Sequence, residues 1–405
     1  MLDLPRLLYV ADVPVECTLH GSALIYRLLE RYPSGKLRIL ETTVESSRTN
    51  RLTGVVYSSL KPRFSRLLRS RLSPIASTFI SMSGGISART AADECREFFP
   101  EAILTVAHGY GWQTAAKVAG ECSLPLHMIV HDHWATTFTA PHFVKRGLER
   151  RFGASYRQAH ARFCVSPSMA TRYEKTYGVS ARVLYPARAH SLVPFSTPSA
   201  RVYEPGKPFA VGYAGSINGT GQIESLRKLL SGLAAMGGQL RMYGPATKED
   251  LERRGLSGSN LIVRGMHSSA ELIRICRDEV DALVVAVSFA SDEISAMETA
   301  FPSKLTDYTA VGVPIVVFGP PTCSAVRWVR ENEYPAVAIT EMVGPSLVGC
   351  LSELQSNRDL RLRLATGALK IGEHQFSSAS AERILFEELK RNRNTSSVNT
   401  QRAQT

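Results

Sequence analysis

Phe301-Pro302-Ser303-Lys304-Leu305-Thr306-Asp307-Tyr308-Thr309-Ala310-Val311-Gly312-Val313-Pro314-Ile315-Val316-Val317 decides how this chain reads. A Ser-Lys pair opens a helix expected over Ser303 to Val311, and an acid follows one turn later on the same face. Gly312 ends the helix, and the apolar run after it reads as a buried strand. A helix start has free backbone N–H groups, and here a hydroxyl and an ammonium join them, which makes an anion site. Asp307 stands where it can accept two hydroxyl protons from a ribose. Pyrophosphate and ribose together describe a nucleotide. The plainer account is an amphipathic helix with Lys304 and Asp307 as a solvated pair, worth a few tenths of a kcal/mol.

Around this stretch the chain alternates strand and helix in two rounds. The first has strands at Leu7 to Ala11, Leu37 to Thr42, Ile103 to Ala107, His127 to Val130 and Phe163 to Val165, with amphipathic helices between them. The second has strands at Phe209 to Tyr213, Leu240 to Tyr243, Leu261 to Val263, Ala282 to Val287, Ile315 to Phe318 and Ala336 to Ile339. Alternation of this kind builds a parallel sheet covered on both faces. Pro194, Pro198, Pro205 and Pro208 mark an interdomain linker over Ala187 to Pro208. The domains are therefore expected at 1–190 and 209–375, either side of a linker core at 191–208. A final helix follows at 376–391, and the polar stretch Asn392 to Thr405 reads as a disordered tail.

Composition narrows the class. The chain has 405 residues, 44% of them hydrophobic, enough for two buried cores. No apolar run approaches the roughly 20 residues of a membrane span, and the N-terminus lacks a secretory signal pattern. The seven cysteines are odd in number, widely spaced and without CxxC, which fits reduced thiols in the cytoplasm. A net charge of +12 implies an anionic partner. The charge concentrates in Lys61–Arg71 and in Lys145–Arg162. The first mixes Arg with Leu and Phe as interfacial segments do, so an anionic membrane surface is an expected contact there. No nucleic-acid-binding motif accompanies the charge, and none is expected as a partner.

The opening stretch resembles the nucleotide-binding segment of family 4 glycosyltransferases of the GT-B fold, where Pro-Ser-Lys-Leu precedes an acid, an aromatic, two small residues, Gly, any residue and Pro. The usual Glu is the shorter Asp307 here. The resemblance covers Arg6 to Lys390. It implies two tandem doubly wound Rossmann-like domains facing a central cleft, and metal-independent sugar transfer with retention from a nucleotide-diphosphate sugar, UDP or GDP most often. The acceptor would be a saccharide or a lipid-linked saccharide. It also implies a final helix that crosses back to the first domain, and a place in the cytoplasm, peripheral at the inner face of the membrane for a lipid-linked acceptor. The same fold also hosts sugar-nucleotide epimerases and admits a non-catalytic scaffold.

Carried over residue by residue, the resemblance gives a donor site of Gly215, Ser216, Arg264, Ser303, Lys304 and Asp307. The loop Gly212 to Gly219 departs from the family pattern, since Arg and Lys normally stand in it and neither does here. For the acid that meets the donor sugar, Glu298 is the first choice and Glu293 the second. In the first half, His131-Asp132-His133-Trp134 resembles the family's His-Asp-x-Trp stretch, with His131 as the third expected catalytic group beside Glu298 and Lys304. His20, Gly21, His108 and Asp132 would line the acceptor side. His131 and His133 share a strand-face parity that metal ligands can use, but no metal is expected.

Overall fold

A computed structural model describes all residues except 1–2, 19, 43–48, 61–66, 68–69, 71, 84–85, 135–141, 200–202, 205, 343–344 and 403–405. The expected interfacial segment Lys61–Arg71 lies almost wholly outside the described residues. The chain divides into two compact units, Met1–Tyr185 with Ala379–Thr405, and Pro186–Ser378.

Among the described residues the first unit holds seven strands: β1 (Leu7–Ala11), β2 (Leu37–Glu41), β3 (Val56–Ser59), β4 (Ala102–Val106), β5 (Leu126–Val130), β6 (Ala161–Cys164) and β7 (Arg182–Val183). They form one sheet in the order β3-β2-β1-β4-β5-β6-β7, and each pair is parallel. Strands β1, β4 and β5 are buried along their whole length. That is why they read as unbroken apolar runs rather than alternating ones. The edge pieces β3 and β7 were missed in the sequence: one is Val-Tyr-Ser-Ser and half-exposed, the other only two residues long.

The second unit holds β8 (Ala210–Ala214), β9 (Gln239–Tyr243), β10 (Leu261–Gly265), β11 (Ala282–Ala286), β12 (Ile315–Phe318) and β13 (Val337–Ile339). Their order is β10-β9-β8-β11-β12-β13, again all parallel. Its core runs from Phe209, Val211 and Tyr213 through Leu226, Leu229 and Leu233 to Val316 and Phe318. The strand order reverses between β1 and β4 in one sheet and between β8 and β11 in the other. Crevices at the carboxyl ends of strands beside such points are where open α/β sheets bind ligands.

Two boundaries differ from the sequence expectation. The Pro-rich stretch read as a linker belongs to the second unit from Pro186 onward. Phe195 and Ser199 donate backbone hydrogen bonds to Ala310 and Gly312, and the Arg277 guanidinium donates to the carbonyls of Thr197, Pro198 and Val311. One half-buried arginine fork thus fastens a segment that its prolines mark as punctuation. At the C-terminus the final helix runs Ser378–Arg402, through most of the stretch read as a disordered tail. Once a helix is nucleated, each further residue adds a hydrogen bond, so low apolar content does not stop propagation. The apolar face of that helix buries Ala381, Leu385, Phe386 and Leu389, and Phe386 meets Tyr32 edge-on at 5.5 Å.

Candidate functional site

In the second unit the loop after β8 carries Gly215-Ser216-Ile217-Asn218-Gly219 and leads into the helix Thr220–Ala235. Gly215 has φ +104°, and a Cβ there would stand 2.8 Å from Lys304 Cε. Gly244, after β9, would put a Cβ 2.7 Å from the Gly215 carbonyl. Side chains are excluded at both places because Lys304 and the Gly215 carbonyl fill the space, so the loop packs tightly at the strand ends. Gly219 caps the following helix without a side-chain hydrogen bond. Gly219 thus supplies no side chain to cap the first N–H groups of this 16-residue helix.

The helix expected at Ser303 to Val311 closes after Tyr308 and has six residues. Its dipole is short, and the charge at this point is Lys304 itself. Lys304 Nζ donates to Tyr213 Oη and, at 2.6 Å, to the Ser216 carbonyl, while sitting 4.3 Å from the Tyr213 ring centre. Among the described residues no carboxylate forms an ion pair with it. Burial lowers its pKa to about 7, so near neutral pH it stands between ammonium and amine. Tyr308 locks this arrangement, since its hydroxyl accepts from Ala214 N at 2.7 Å and donates to Ala214 O at 3.2 Å. Ser303 opens the helix, and its carbonyl accepts from Thr306 Oγ1.

Asp307 is half-buried beside Arg188, whose guanidinium feels its charge. Arg188 donates to Thr306 O at 3.1 Å, Thr309 Oγ1 at 2.8 Å and Glu373 at 3.2 Å. Sequence reading left Arg188 at the edge of a linker and gave it no role. Arg264, expected at the donor site, is paired with Glu279 at 3.4 Å, which also accepts from Arg241 and Tyr243. The missing loop cation has a partial substitute. Arg254 donates to the carbonyls of Ile217 and Gly219, both at 3.3 Å, from the end of the helix Lys248–Arg253. Nothing local in the sequence signals it, because it reaches the loop from over thirty residues away.

Of the two candidate acids, Glu293 is the one at the loop. Its carboxylate lies 3.3 Å from where a Gly219 Cβ would stand and 3.0 Å from where a Gly221 Cβ would stand. Glu298 sits at the end of the short helix Ile294–Met297, half-buried.

In the first unit, His108 follows β4 while His131 and Asp132 follow β5, the neighbouring strand. His131 is 9% exposed, and burial lowers its pKa, which favours the neutral ring. Asp132 Oδ2 lies 3.7 Å from His108 Nδ1 and 3.6 Å from His131 Nε2. The rings of His108 and His131 meet edge-on at 5.7 Å. Gly21 faces His131, with Cε1 3.5 Å from a would-be Cβ, while His20 opens the helix His20–Leu29. His108, His131, Asp132 and Gly21 are thus gathered. Their three ligand-bearing side chains could also hold a divalent cation, since one atom from each lies within 4.8 Å of the others.

His133 does not join them; its Nδ1 meets Tyr173 Oη at 3.2 Å. Trp134 explains why the motif is rigid. It stacks on Phe152 at 4.6 Å, abuts Trp112 at 6.0 Å and donates to Tyr177 Oη at 3.3 Å. The sequence also gave no hint of Asp12. Its half-buried carboxylate, just past β1, accepts from Thr42 and from the backbone N–H groups of Tyr110 and Gly111, and so fixes the turn that carries His108.

No family model and no curated protein matches the chain. Solved structures do. Anabaena HepE, solved in complex with UDP-glucose, superposes with a TM-score of 0.66 at 13% identity, over 95% of this chain and 99% of that one. Sucrose-phosphate synthase from Thermosynechococcus elongatus gives 0.65 at 12% identity, over 96% and 100%. The lipopolysaccharide outer core galactosyltransferase WaaB gives 0.62 at 13%, over 96% and 99%. The chain has the GT-B fold. At such identities the likeness establishes architecture over nearly the whole chain. In GT-B terms the first unit is the N-terminal Rossmann-like domain and the second the C-terminal one.

Proposed function

We propose that this chain is a glycosyltransferase that moves a sugar from a nucleotide-diphosphate sugar to an acceptor. One observation carries the reading: Lys304, free of carboxylate partners among the described residues, is held over the Gly215–Gly219 loop. A diphosphate there would meet an ammonium and the start of the helix Thr220–Ala235, both arranged before it arrives. As the glycosidic bond breaks, charge grows on the leaving diphosphate, and Lys304 and Ser303 stabilise it without a metal. Asp307 takes the ribose. Glu293, or Glu298 one turn on, takes the donor sugar. In the first unit His131 and His108, oriented by Asp132, donate hydrogen bonds to saccharide hydroxyls, with Gly21 and His20 beside them.

Solved GT-B neighbours bind UDP and UDP-glucose, which supports a UDP or GDP sugar as donor. The acceptor is a saccharide or a lipid-linked saccharide, in keeping with a galactosyltransferase of lipopolysaccharide among those neighbours. Transfer proceeds with retention, and the protein works in the cytoplasm, at the inner face of the membrane when the acceptor is lipid-borne.

Product analysis tests this. The chain is incubated with UDP- and GDP-sugars, with and without saccharide acceptors, and the products are separated. A new glycosidic product with release of nucleoside diphosphate is expected. An altered free sugar nucleotide without acceptor would make it an epimerase. Tight nucleotide binding with no turnover would make it a non-catalytic scaffold, the reading that the altered Gly-rich loop favours.

A further inference from the structure

We propose that His108, His131 and Asp132 form a binding site for one divalent transition-metal ion of the zinc class, apart from the donor chemistry of the second unit. The three residues stand just past the ends of two neighbouring parallel strands, β4 and β5. One ligand atom from each lies within 4.8 Å of the others. Asp132 Oδ2 is the shared point, 3.7 Å from His108 Nδ1 and 3.6 Å from His131 Nε2. Both separations are too long for a hydrogen bond. Three polar groups therefore converge without satisfying one another. His108 Nδ1 is buried and has no hydrogen-bond partner among the described residues. An unpaired buried polar atom costs about 1–3 kcal/mol, and an ion bound by that nitrogen removes the cost.

The geometry is near that of a small four-coordinate ion. Tetrahedral Zn2+ holds its nitrogen and oxygen ligands about 3.3–3.5 Å from one another. The two separations from Asp132 already lie close to that range. The rings of His108 and His131 meet edge-on, and His108, with 39% of its side chain exposed, has room to turn and close the rest. His131 is the fixed member, 9% exposed. Charge favours a cation too. Among the described residues the charged groups acting on His131 are Asp132 and His108, with no lysine or arginine. Behind His108, the Asp12 carboxylate is near enough to feel that ring's charge.

The ligand set chooses the ion. Two imidazoles and one carboxylate suit Zn2+, Co2+ and Ni2+, whereas Mg2+ and Ca2+ take oxygen ligands. Three protein ligands leave a fourth position for water, on the side where Asp132 is half exposed. A ring nitrogen that ligates an ion cannot also bond a saccharide hydroxyl, so a bound ion and the acceptor role proposed above exclude one another. Ion binding itself needs neither nucleotide nor acceptor and does not rest on that role.

The test is titration of the chelator-treated full chain with Co2+ and then Zn2+, without nucleotide. One equivalent of Co2+ should give the strong visible bands of a four-coordinate ion, and one equivalent of Zn2+ should abolish them, while excess Mg2+ should not. In histidine NMR spectra, Zn2+ should shift the His108 and His131 signals and leave those of the exposed His160 and His374 in place. Asp132→Asn keeps the side-chain volume at a half-exposed position, so an unchanged melting curve is expected. It should weaken Zn2+ binding at least about tenfold, and His108→Ala about a hundredfold. Co2+ that stays six-coordinate and pale would overturn the proposal. So would Zn2+ affinity that both variants keep, or shifts spread over the exposed histidines, the mark of an adventitious ion only.

Discussion

The protonation of Lys304 gives a prediction with its own magnitude. Burial holds the folded pKa near 7, well below the ordinary lysine value of about 10.4. A diphosphate binds the ammonium, so affinity follows the charged fraction of the free protein. That fraction is about nine-tenths at pH 6, one-half at pH 7 and one-tenth at pH 8. The dissociation constant should therefore rise about tenfold from pH 6 to pH 8, with uptake of about half a proton per site at pH 7. A sugar nucleotide is the right ligand, because both of its phosphates are esterified and neither titrates in this range. Calorimetry in buffers of differing ionisation enthalpy reads both quantities. Stability runs the other way: the unfolded chain holds this proton up to about pH 10, so the Lys304 contribution grows more favourable as pH rises from about 7. A Lys304→Met variant should bind about 10- to 100-fold more weakly at pH 6, as expected for a lost charge-assisted contact, with a flat pH profile. Affinity independent of pH in wild type, or the same slope in the methionine variant, would refute the reasoning.

Three further substitutions test neighbouring contacts. Gly215→Ala places a methyl 2.8 Å from Lys304 Cε at φ +104°, so it should cost about 1–3 kcal/mol in chemical denaturation and weaken nucleotide binding with it. Arg188→Met strips the buried donors from Thr306 O and Thr309 Oγ1, and should lower stability by about 3 kcal/mol in urea melts, with the loss confined to the second unit. Trp134→Ala opens a cavity beside Phe152 and Trp112, and should cost about 3–5 kcal/mol while releasing the His131–Asp132 loop, seen as new exchange in histidine NMR signals.

The architecture was legible because parallel strands buried on both faces must be apolar throughout, and the central strands of both sheets are. Pro167–Tyr177 was readable to the residue, since Ser166 caps it, Pro167 opens it and Gly178 closes it in the left-handed conformation. The helix Ser303–Tyr308 was placed correctly at its start but was too long in the reading. Thr309 and Ala310 still fit a helical pattern, yet Ala310 bonds back to Asp307 as a tighter turn. Short edge strands carried too few residues to show a period.

At the site, residues on one local stretch could be read together, as Ser303, Lys304 and Asp307 were. Residues brought in by tertiary contact could not. Arg254 reaches the Gly-rich loop, Arg188 grips the helix end, and Asp12 holds the His108 turn, each across a separation of thirty residues or more. Spacing carries no trace of such contacts. Arg264 is the reverse case, a cation next to a strand end whose guanidinium lies against Glu279.

The central claim is that Lys304 and the segment around it hold a nucleoside diphosphate. Thermal shift with UDP, GDP, ADP, CMP and their sugar conjugates tests it most directly, on wild type and on a Lys304→Ala, Asp307→Ala double variant. A clear shift with one diphosphate, lost in the variant, is the predicted result. A folded wild-type protein that no nucleotide stabilises, or a shift that the double variant keeps in full, would contradict it.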